Sequence, residues 1–461
     1  MFTSVICAVS TPAGQGGIAV IRVSGSDAVA ICDRVFVAAK GSLSRQPSHT
    51  VSFGKIGSHT PDGDMKVIDE ALVTVFRAPH SYTGEDTVEI ACHGSLFIQQ
   101  EILKLLLANG CRMAAAGEFT QRAYLNGKMD LCRAEAVGDL IAAASASAHN
   151  IAIRQMRGDF STMLAELRDR LLHFTTLVEL ELDFSEEDVE FADRTQLTAL
   201  AAQLESTISR LTDSFATGNA IKNGIPVAIV GETNTGKSTL LNCLLKDDKA
   251  IVSDVHGTTR DSIEDTMLIG GLLFRFIDTA GIRNTSDRIE QLGIERTFRK
   301  IEQATIILQL IDSQSPTPTL SKEMKIRDNQ HLIVVLNKAD LLSPDDLAAK
   351  QAFYASGTFD TIVISAKTGM GISLLEEKLL ACIPQMGEND VIVSNMRHYE
   401  ELNHALTAIR RVILALNDNI PNDLLAQDIR CCITHLGNIT GQQIHSEEVL
   451  NNIFKNFCIG K

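Results

Sequence analysis

The chain has 461 residues, of which 45% are hydrophobic and 21% charged, and its formal net charge is −15. This length exceeds one ordinary hydrophobic core, so about three domains are expected. The negative charge argues against a surface coated with basic residues for nucleic acid, although it allows a local basic patch. No uninterrupted apolar run reaches about 18 residues, so we expect no membrane span.

The cysteines and the N-terminus indicate the cellular compartment. Ten cysteines are scattered along the chain without a Cys-x-x-Cys pair. This spacing predicts neither a zinc site nor a disulfide framework. The first residues lack the basic n-region of a signal peptide. We therefore expect a cytoplasmic protein in a reducing environment.

The N-terminal segment 1–118 is rich in glycine and in short β-like stretches. Residues 18–23 and 71–76 have the composition of strands, whereas residues 28–37 and 98–109 show helical spacing of apolar side chains. The segment is therefore predicted to form an α+β domain.

Helical character dominates the next segment, 119–223. Glycine and proline are both absent between Asp159 and Thr217, and leucine recurs with near-helical spacing. We predict two long helices here, separated by an acidic connection at 183–188. Because residues 385–461 are helical again, we expect the two helical segments to pack together as one all-α domain.

The inserted segment, 224–384, alternates strands with helices, which is typical of a doubly wound sheet. Its stretch 231–238 reads Gly-Glu-Thr-Asn-Thr-Gly-Lys-Ser, between an apolar run and a helix-like run. Strand, glycine-rich turn and helix in this order indicate a P-loop. Its backbone N–H groups would surround phosphate oxygens, with Lys237 on the outer phosphates and Ser238 as a ligand of Mg²⁺.

The nucleotide base is indicated by Asn337-Lys338-Ala339-Asp340, which follows an apolar strand. The carboxylate of Asp340 can accept both N1–H and the exocyclic amine of guanine, whereas adenine offers no such pair of donors at that edge. Ser365-Ala366-Lys367 follows another strand and fits the last base-contacting loop. The predicted substrate is GTP.

Two further motifs resemble the switch loops of a GTPase. In Asp278-Thr279-Ala280-Gly281, the aspartate can hold Mg²⁺ through water and the glycine N–H can sense the γ-phosphate. In the second motif, Thr258-Thr259-Arg260-Asp261, Thr259 is the predicted second protein ligand of Mg²⁺. Ile282 occupies the position where Ras-like enzymes carry a water-orienting glutamine, so hydrolysis needs another group. Glu290 could reach the water, but the residues alone favour the interpretation that it is an exposed helix residue.

Over essentially its full length the chain resembles the tRNA modification GTPase family, MnmE or TrmE, among the TrmE-Era-EngA-like GTPases. Besides the GTPase motifs, the resemblance rests on Tyr82-Thr83-Gly84-Glu85-Asp86, Gly117-Glu118-Phe119-Thr120 and the terminal Cys458-Ile459-Gly460-Lys461. The predicted GTP-binding residues are Asn234, Thr235, Gly236, Lys237, Ser238, Thr239, Ser253, Asp254, Val255, His256, Gly257, Thr258, Thr259, Asp278, Thr279, Ala280, Gly281, Asn337, Lys338, Ala339, Asp340, Ser365, Ala366 and Lys367.

The resemblance implies cofactors and roles that spacing alone does not show. It implies a homodimer formed through an N-terminal domain that binds 5-formyltetrahydrofolate or a related tetrahydrofolate. It also implies that K⁺ stimulates GTP hydrolysis when two GTPase domains pair, and that Glu290 positions the attacking water. The implied K⁺ ligands are Asn234, Ser253, Val255 and Thr258. The implied folate-binding residues are Arg22, Glu89, Lys128 and Lys461, with Cys458 as a catalytic residue beside the one-carbon unit.

The predicted function is that of a GTP-hydrolysing enzyme which modifies tRNA. With a flavin-dependent partner of the MnmG type, in a heterotetramer or larger complex, it would install carboxymethylaminomethyl or aminomethyl groups at C5 of the wobble uridine. One alternative is a GTP-dependent ribosome-assembly switch, which would share every GTPase motif. A folate aminomethyltransferase regulated by an inserted GTPase domain is a third possibility.

Overall fold

Two compact units make up the fold. The computed structural model describes residues 4–59, 64–183, 194–247, 265–277, 301–315, 326–327, 330–355, 360–384, 387, 390–418, 422–442, 450, 453–455, 457 and 460. The first unit comprises Met1–Ile141, Arg154–Ala192 and Ile420–Lys461, and the second comprises Ala142–Ile153 and Asp193–Asn419. In the described part of the chain, no helix has both the length and the hydropathy needed to cross a membrane.

The first unit is built on a seven-stranded sheet. Its strands are β1 (Val5–Val9), β2 (Ile18–Ser24), β3 (Phe36–Ala38), β4 (Thr50–His59), β5 (Met65–Phe76), β6 (Thr87–His93) and β7 (Cys111–Met113). They lie in the order β3-β4-β5-β6-β2-β1-β7, antiparallel except for β1 and β7. Helices α1 (Ala28–Val35) and α2 (Leu96–Ala108) share a core with this sheet, which agrees with the predicted α+β fold.

At one boundary in this domain the sequence predicted the wrong type of element. The helix expected over 28–37 ends at Val35, and Phe36–Ala38 instead pair with β4 as an edge strand. Phe36 is buried whereas Val37 is exposed, which is the alternation of a strand. Pairing with β4 therefore outweighed the helical spacing at the end of this segment.

The other described helices are distributed over the two units. In chain order they are α3 (Glu118–Leu125), α4 (Leu131–Ala142), α5 (Ala146–Arg157), α6 (Asp159–Asp183), α7 (Arg194–Asp213), α8 (Phe215–Asn223), α9 (Lys237–Asp247), α10 (Pro344–Ala355), α11 (Ile372–Ala381), α12 (Met396–Asn417) and α13 (Asn422–Thr440). In the first unit α6 packs along α13, and in the second α7 packs along α12. Each pair joins a helix that precedes the inserted domain to one that follows it, but the two pairs belong to different units, and the single all-α domain stays a prediction.

The second unit contains the predicted doubly wound domain. Its strands are β8 (Ile225–Val230), β9 (Asp265–Ile269), β10 (Leu272–Phe276), β11 (Ile306–Asp312), β12 (His331–Asn337) and β13 (Asp360–Val363). They lie in the order β13-β12-β11-β8-β10-β9, and only the β9–β10 pair is antiparallel. A core cluster joins side chains of this sheet to those of α9 and α11.

A buried ion network ties α3 to the sheet of the first unit. The side chain of Arg122 is 0% exposed and donates to Glu85 Oε2 at 2.9 Å and to Glu118 Oε1 at 2.9 Å. It also donates to the carbonyl of Ser4 at 3.0 Å. Two carboxylates and a carbonyl therefore compensate a guanidinium that has lost its contact with water.

We predict that Arg122→Ala destabilises the first unit far more than Arg112→Ala does. Both arginines bond Glu118, but Arg112 has a side chain that is 46% exposed. Breaking the buried pair should cost about 3–5 kcal/mol, against about 1 kcal/mol or less for the exposed pair. Hydrogen exchange of the amides of β1 and β6 measures the difference. Equal losses of protection would contradict this assignment.

Candidate functional site

The P-loop begins where β8 ends, between β11 and β10 in the sheet. Gly231 has φ of +152° and Gly236 has φ of +96°, which side-chain-bearing residues rarely adopt. A Cβ at Gly231 would collide with the carbonyl of Leu310, and one at Gly236 with the side-chain amide of Asn337. Conformation and close packing both require glycine at these two positions.

The first turn of α9 carries the predicted phosphate-binding side chains. Lys237 Nζ donates to the carbonyls of Gly231 at 2.8 Å and Glu232 at 2.6 Å, so its amine lies across the loop. Ser238 and Thr239 are exposed in this first turn. The N–H groups at a helix start favour an anion, and a hydroxyl beside them can serve Mg²⁺. These residues therefore fit a nucleotide phosphate with its metal ion.

The P-loop is joined to the base loop by one side chain, that of Asn337. Its Nδ2 donates to the carbonyl of Thr235 at 2.8 Å, and its Oδ1 accepts the N–H of Ala366 at 2.9 Å. The residue is 2% exposed. Three segments that are far apart in sequence therefore meet at a single amide, as the predicted GTP site requires.

The predicted base-reading carboxylate is held from one side. Ser365 Oγ donates to Asp340 Oδ1 at 2.6 Å, while Asp340 itself is exposed. Ser365 is buried, and its N–H donates to the carbonyl of Met370 at 2.9 Å. The carboxylate therefore has a fixed direction and remains accessible to a base. Lys367, in the same loop, is exposed.

A partner of the base loop that the sequence analysis missed is Asp312. Lys338 has φ of +65°, and its Nζ donates to Asp312 Oδ2 at 2.6 Å. Burial acts to raise the pKa of Asp312, but hydrogen bonds from Lys338 and the Gln314 N–H outweigh it and hold the pKa below its usual value. A signal existed, since Asp312 ends an apolar strand of the parallel sheet, the edge at which ligands bind in such folds.

Many predicted site residues lie outside the described part of the chain. They are Ser253, Asp254, Val255, His256, Gly257, Thr258, Thr259, Asp278, Thr279, Ala280, Gly281, Glu290, Cys458 and Lys461. Of the implied K⁺ ligands, Asn234 is described; it is exposed, with φ of +64°. Among the described residues, no group of three or more His, Cys, Asp or Glu side chains could hold a metal ion.

The implied folate residues of the sheet lie side by side. Arg22 on β2 pairs in register with Glu89 on β6, and its Nε and Nη2 both donate to Glu89 Oε1, at 3.0 and 2.8 Å. The Arg22 guanidinium also lies 5.3 Å from the ring centroid of Tyr82 and 5.7 Å from that of Phe119. A carboxylate and a guanidinium beside an aromatic side chain fit a pterin with an acidic tail.

The remaining implied folate residues belong to two segments of the first unit that are distant in sequence. Lys128 is exposed, and its Nζ donates to the carbonyl of Pro79 at 2.8 Å, in the loop that leads to Tyr82. Gly460 is buried, and its carbonyl accepts a hydrogen bond from Ser10 Oγ at 2.9 Å. Gly460 therefore contacts the residue that follows β1.

Comparison with known proteins identifies the family of the chain. A family model described as the MnmE helical domain matches residues 131–458, and one described as the GTP-binding protein TrmE N-terminus matches residues 5–128. A tRNA modification GTPase MnmE from Bacteroides fragilis is 55% identical over 99% of this chain and 99% of its own length. The chain belongs to the MnmE (TrmE) family. Further MnmE proteins, from Parabacteroides distasonis and Flavobacterium johnsoniae, are 54% and 51% identical, each over 99% of this chain and at least 99% of their own length.

Solved structures similar to this MnmE family member include isolated G domains. The G domain of the T. maritima FeoB iron transporter is 23% identical, covers 35% of this chain and 99% of its own, and gives a TM-score of 0.26. The FeoB G domain from Methanococcus jannaschii is 19% identical, covers 34% of this chain and 97% of its own, and gives a TM-score of 0.23.

Replacing the base-reading carboxylate tests the site. We predict that Asp340→Asn weakens GTP binding about a hundredfold, because charge-assisted hydrogen bonds of about 1.5–3 kcal/mol each are lost. It should also improve binding of xanthosine triphosphate, whose carbonyl replaces the exocyclic amine of guanine. Asp345→Asn, the same charge change on the exposed start of α10, should alter neither affinity. Fluorescence titration with both nucleotides gives the result; unchanged base preference would show that Asp340 does not read the base.

Proposed function

We propose that the chain hydrolyses GTP and, with a flavin-dependent partner of the MnmG type, modifies tRNA. The reaction would install carboxymethylaminomethyl or aminomethyl groups at C5 of the wobble uridine of certain tRNAs, in the cytoplasm. The observation that carries the proposal is full-length membership of the MnmE family, with relatives at 50–55% identity over 98% or more of their length. The described GTP site, joined through Asn337, supplies a matching nucleotide chemistry.

The competing function is a GTP-dependent ribosome-assembly switch without modification chemistry. Such a switch would need the same P-loop and the same base loop, so those motifs do not decide between the two. The N-terminal domain does discriminate, because its match to the TrmE N-terminus covers residues 5–128. The curated relatives are also named for tRNA modification, which favours the modification enzyme.

For hydrolysis, the chain needs a substitute for the missing glutamine. We assign Glu290 to position the attacking water, and Ser238 and Thr259 to bind the Mg²⁺ ion. Asn234 supports a K⁺ role because it projects from the exposed part of the loop in a left-handed conformation. Ser253, Val255 and Thr258 would complete the oxygen ligands. K⁺ would add positive charge near the phosphates, and the chain's own part is to hold that ion at the loop.

For the folate, the proposal uses the C-terminal tail together with the sheet. Ser10, which holds Gly460, follows directly on β1, where Ala8 pairs with Arg22. Cys458 and Lys461, which lie outside the described residues, are within two positions of Gly460 in sequence, and we assign them to the folate on that ground. Arg22 and Lys128 would bind the acidic tail of the folate, Glu89 its pterin, and the bound folate would provide the one-carbon unit.

The proposed homodimer is supported by an apolar row on the sheet of the first unit that is exposed at two of its four positions. Phe53, Leu72, Ala91 and Val20 stand opposite one another on adjacent strands β4, β5, β6 and β2. Phe53 and Leu72 are both exposed. Exposed apolar patches of this kind often mark protein interfaces. We propose that a second copy covers this face, in a heterotetramer or larger complex with the flavin-dependent partner.

Nucleoside analysis tests the proposed reaction. We predict that tRNA from a strain lacking this gene has lost the modified wobble uridine, as measured by mass spectrometry of tRNA nucleosides. The wild-type gene should restore the modification. Lys237→Ala should fail to restore it, because its amine is assigned to the outer phosphates. A wobble uridine that is still modified in the deletion strain would contradict the proposal and favour the assembly switch.

Cation dependence tests the proposed hydrolysis. We predict GTP turnover at least about tenfold faster in K⁺ than in Na⁺ at matched ionic strength, or about 1.4 kcal/mol in activation free energy. Asn234→Gly should abolish this difference, since glycine accepts the left-handed conformation but offers no side-chain oxygen. Thr233→Ala, at the neighbouring exposed position, is the control and should keep it. Equal rates in both salts for the wild-type chain would refute the K⁺ assignment.

A further inference from the structure

A cavity of about 230 Å³ lies among three helices of the first unit, apart from the residues assigned to GTP and folate. It is lined by α4, α6 and α13. The lining includes two arginines and a serine together with apolar and neutral polar side chains. Those that carry the argument are Asp130, Arg133, Ser161, Leu164, Arg168 and Thr440.

Helix α6 has polar side chains on the side that packs along α13, where apolar side chains are expected. Ser161 and Arg168 are seven residues apart, two helical turns, with Leu164 between them on the same side. This side faces the cavity, and α6 packs along α13. A local departure from the apolar pattern at such a packing position is characteristic of functional sites.

Three hydrogen-bond donors in this lining are unused among the described residues. Ser161 Oγ, Arg133 Nε and Arg168 Nε are each buried without a hydrogen-bond partner, and Ser161 is 7% exposed. Asp130 Oδ2 lies 3.3 Å from Arg133 Nε but outside hydrogen-bond geometry. Buried donors in folded proteins almost always have partners, so three together at one cavity call for an acceptor.

We propose that this cavity binds a phosphate group. Among the described lining residues, two guanidiniums and the one carboxylate of Asp130 leave a positive charge. The first turn of α6, which holds Ser161, adds the positive end of the helix dipole. The volume equals that of about eight waters, and is below the roughly 300 Å³ of the smallest typical organic-ligand pockets. Donors from two helices suit the tetrahedral array of phosphate oxygens better than a planar carboxylate.

The backbone beside the cavity is shaped to hold one of these arginines. Gly158, between α5 and α6, has φ of +97°, and a Cβ at this position would collide with the guanidinium of Arg133. The guanidinium therefore rests directly against the backbone of Gly158. Its position is set by packing before any ligand arrives, which is the arrangement that favours binding.

The phosphate has two possible sources, free phosphate or the backbone of tRNA, and the second rests on the proposed function. One experiment tests each source.

The first arm titrates inorganic phosphate into the full-length chain at constant ionic strength. A non-hydrolysable GTP analogue and Mg²⁺ fill the nucleotide site, so that the P-loop cannot respond. Thermal unfolding and titration calorimetry report binding. Arg168→Gln should weaken it roughly tenfold or more, whereas Arg170→Gln, an equal charge change at an exposed position of α6, should not.

A second variant separates binding from folding defects. Ser161→Ala removes a buried hydroxyl that has no partner in the described chain, so it should raise the melting temperature without phosphate. It should also reduce the rise in melting temperature that phosphate causes. Gly158→Ala, which displaces Arg133, should reduce that rise as well.

The second arm measures tRNA binding at several salt concentrations. If the phosphate belongs to tRNA, Arg168→Gln lowers the affinity and reduces the slope of log K against log salt by about one. If the ligand is free phosphate, tRNA binding is unchanged and only the first arm responds. The proposal is overturned if neither arm distinguishes the Arg168 and Ser161 variants from wild type, since the cavity then holds water alone. Wild-type GTP turnover in such variants would leave the proposed function standing.

Discussion

The GTP site depends on one buried amide, that of Asn337. Both ends of this side chain are used, Nδ2 on the P-loop carbonyl of Thr235 and Oδ1 on the N–H of Ala366. Neither end can be exchanged for water, because the residue is 2% exposed. The P-loop and the loop at Ala366 are therefore held at a fixed separation, which would align a base at the proposed Asp340 contact with phosphates at the proposed Lys237 contact.

The parallel sheet explains why these groups meet. Strands β8, β11 and β12 lie side by side and in parallel, so their carboxyl ends deliver the P-loop, Asp312 and Asn337 to one edge. Glycine at 236 then lets the amide of Asn337 approach the loop, where any side chain would collide with it. Lys338, in a left-handed conformation, turns back to Asp312 on the neighbouring strand. The strand order thus does more than any single residue to assemble the site.

The sequence predicted what local rules control and missed what tertiary pairing decides. The P-loop, the base loop and the long helices were predicted because spacing, glycine and apolar period act locally. The edge strand at Phe36–Ala38 was not, since its conformation depends on β4, which lies more than ten residues further along the chain. The Lys338–Asp312 pair was missed for the same reason, because nothing local joins two side chains 26 residues apart. The segment that contains Ser161 and Arg168 was predicted only as a helix, and the cavity beside it was missed. Helical spacing does not show which polar groups lack hydrogen-bond partners.

The proposed folate region depends on the contact between the most distant positions in the sequence. Ser10 and Gly460 are 450 positions apart, yet their hydrogen bond places the end of the chain beside its beginning. Gly460 has φ of +98°, and a Cβ there would collide with the carbonyl of Val9, so the contact is closer than another residue would allow. The proposed folate site combines Arg22 and Glu89 of the sheet with the segment around Gly460, so it depends on a contact between two widely separated parts of the sequence.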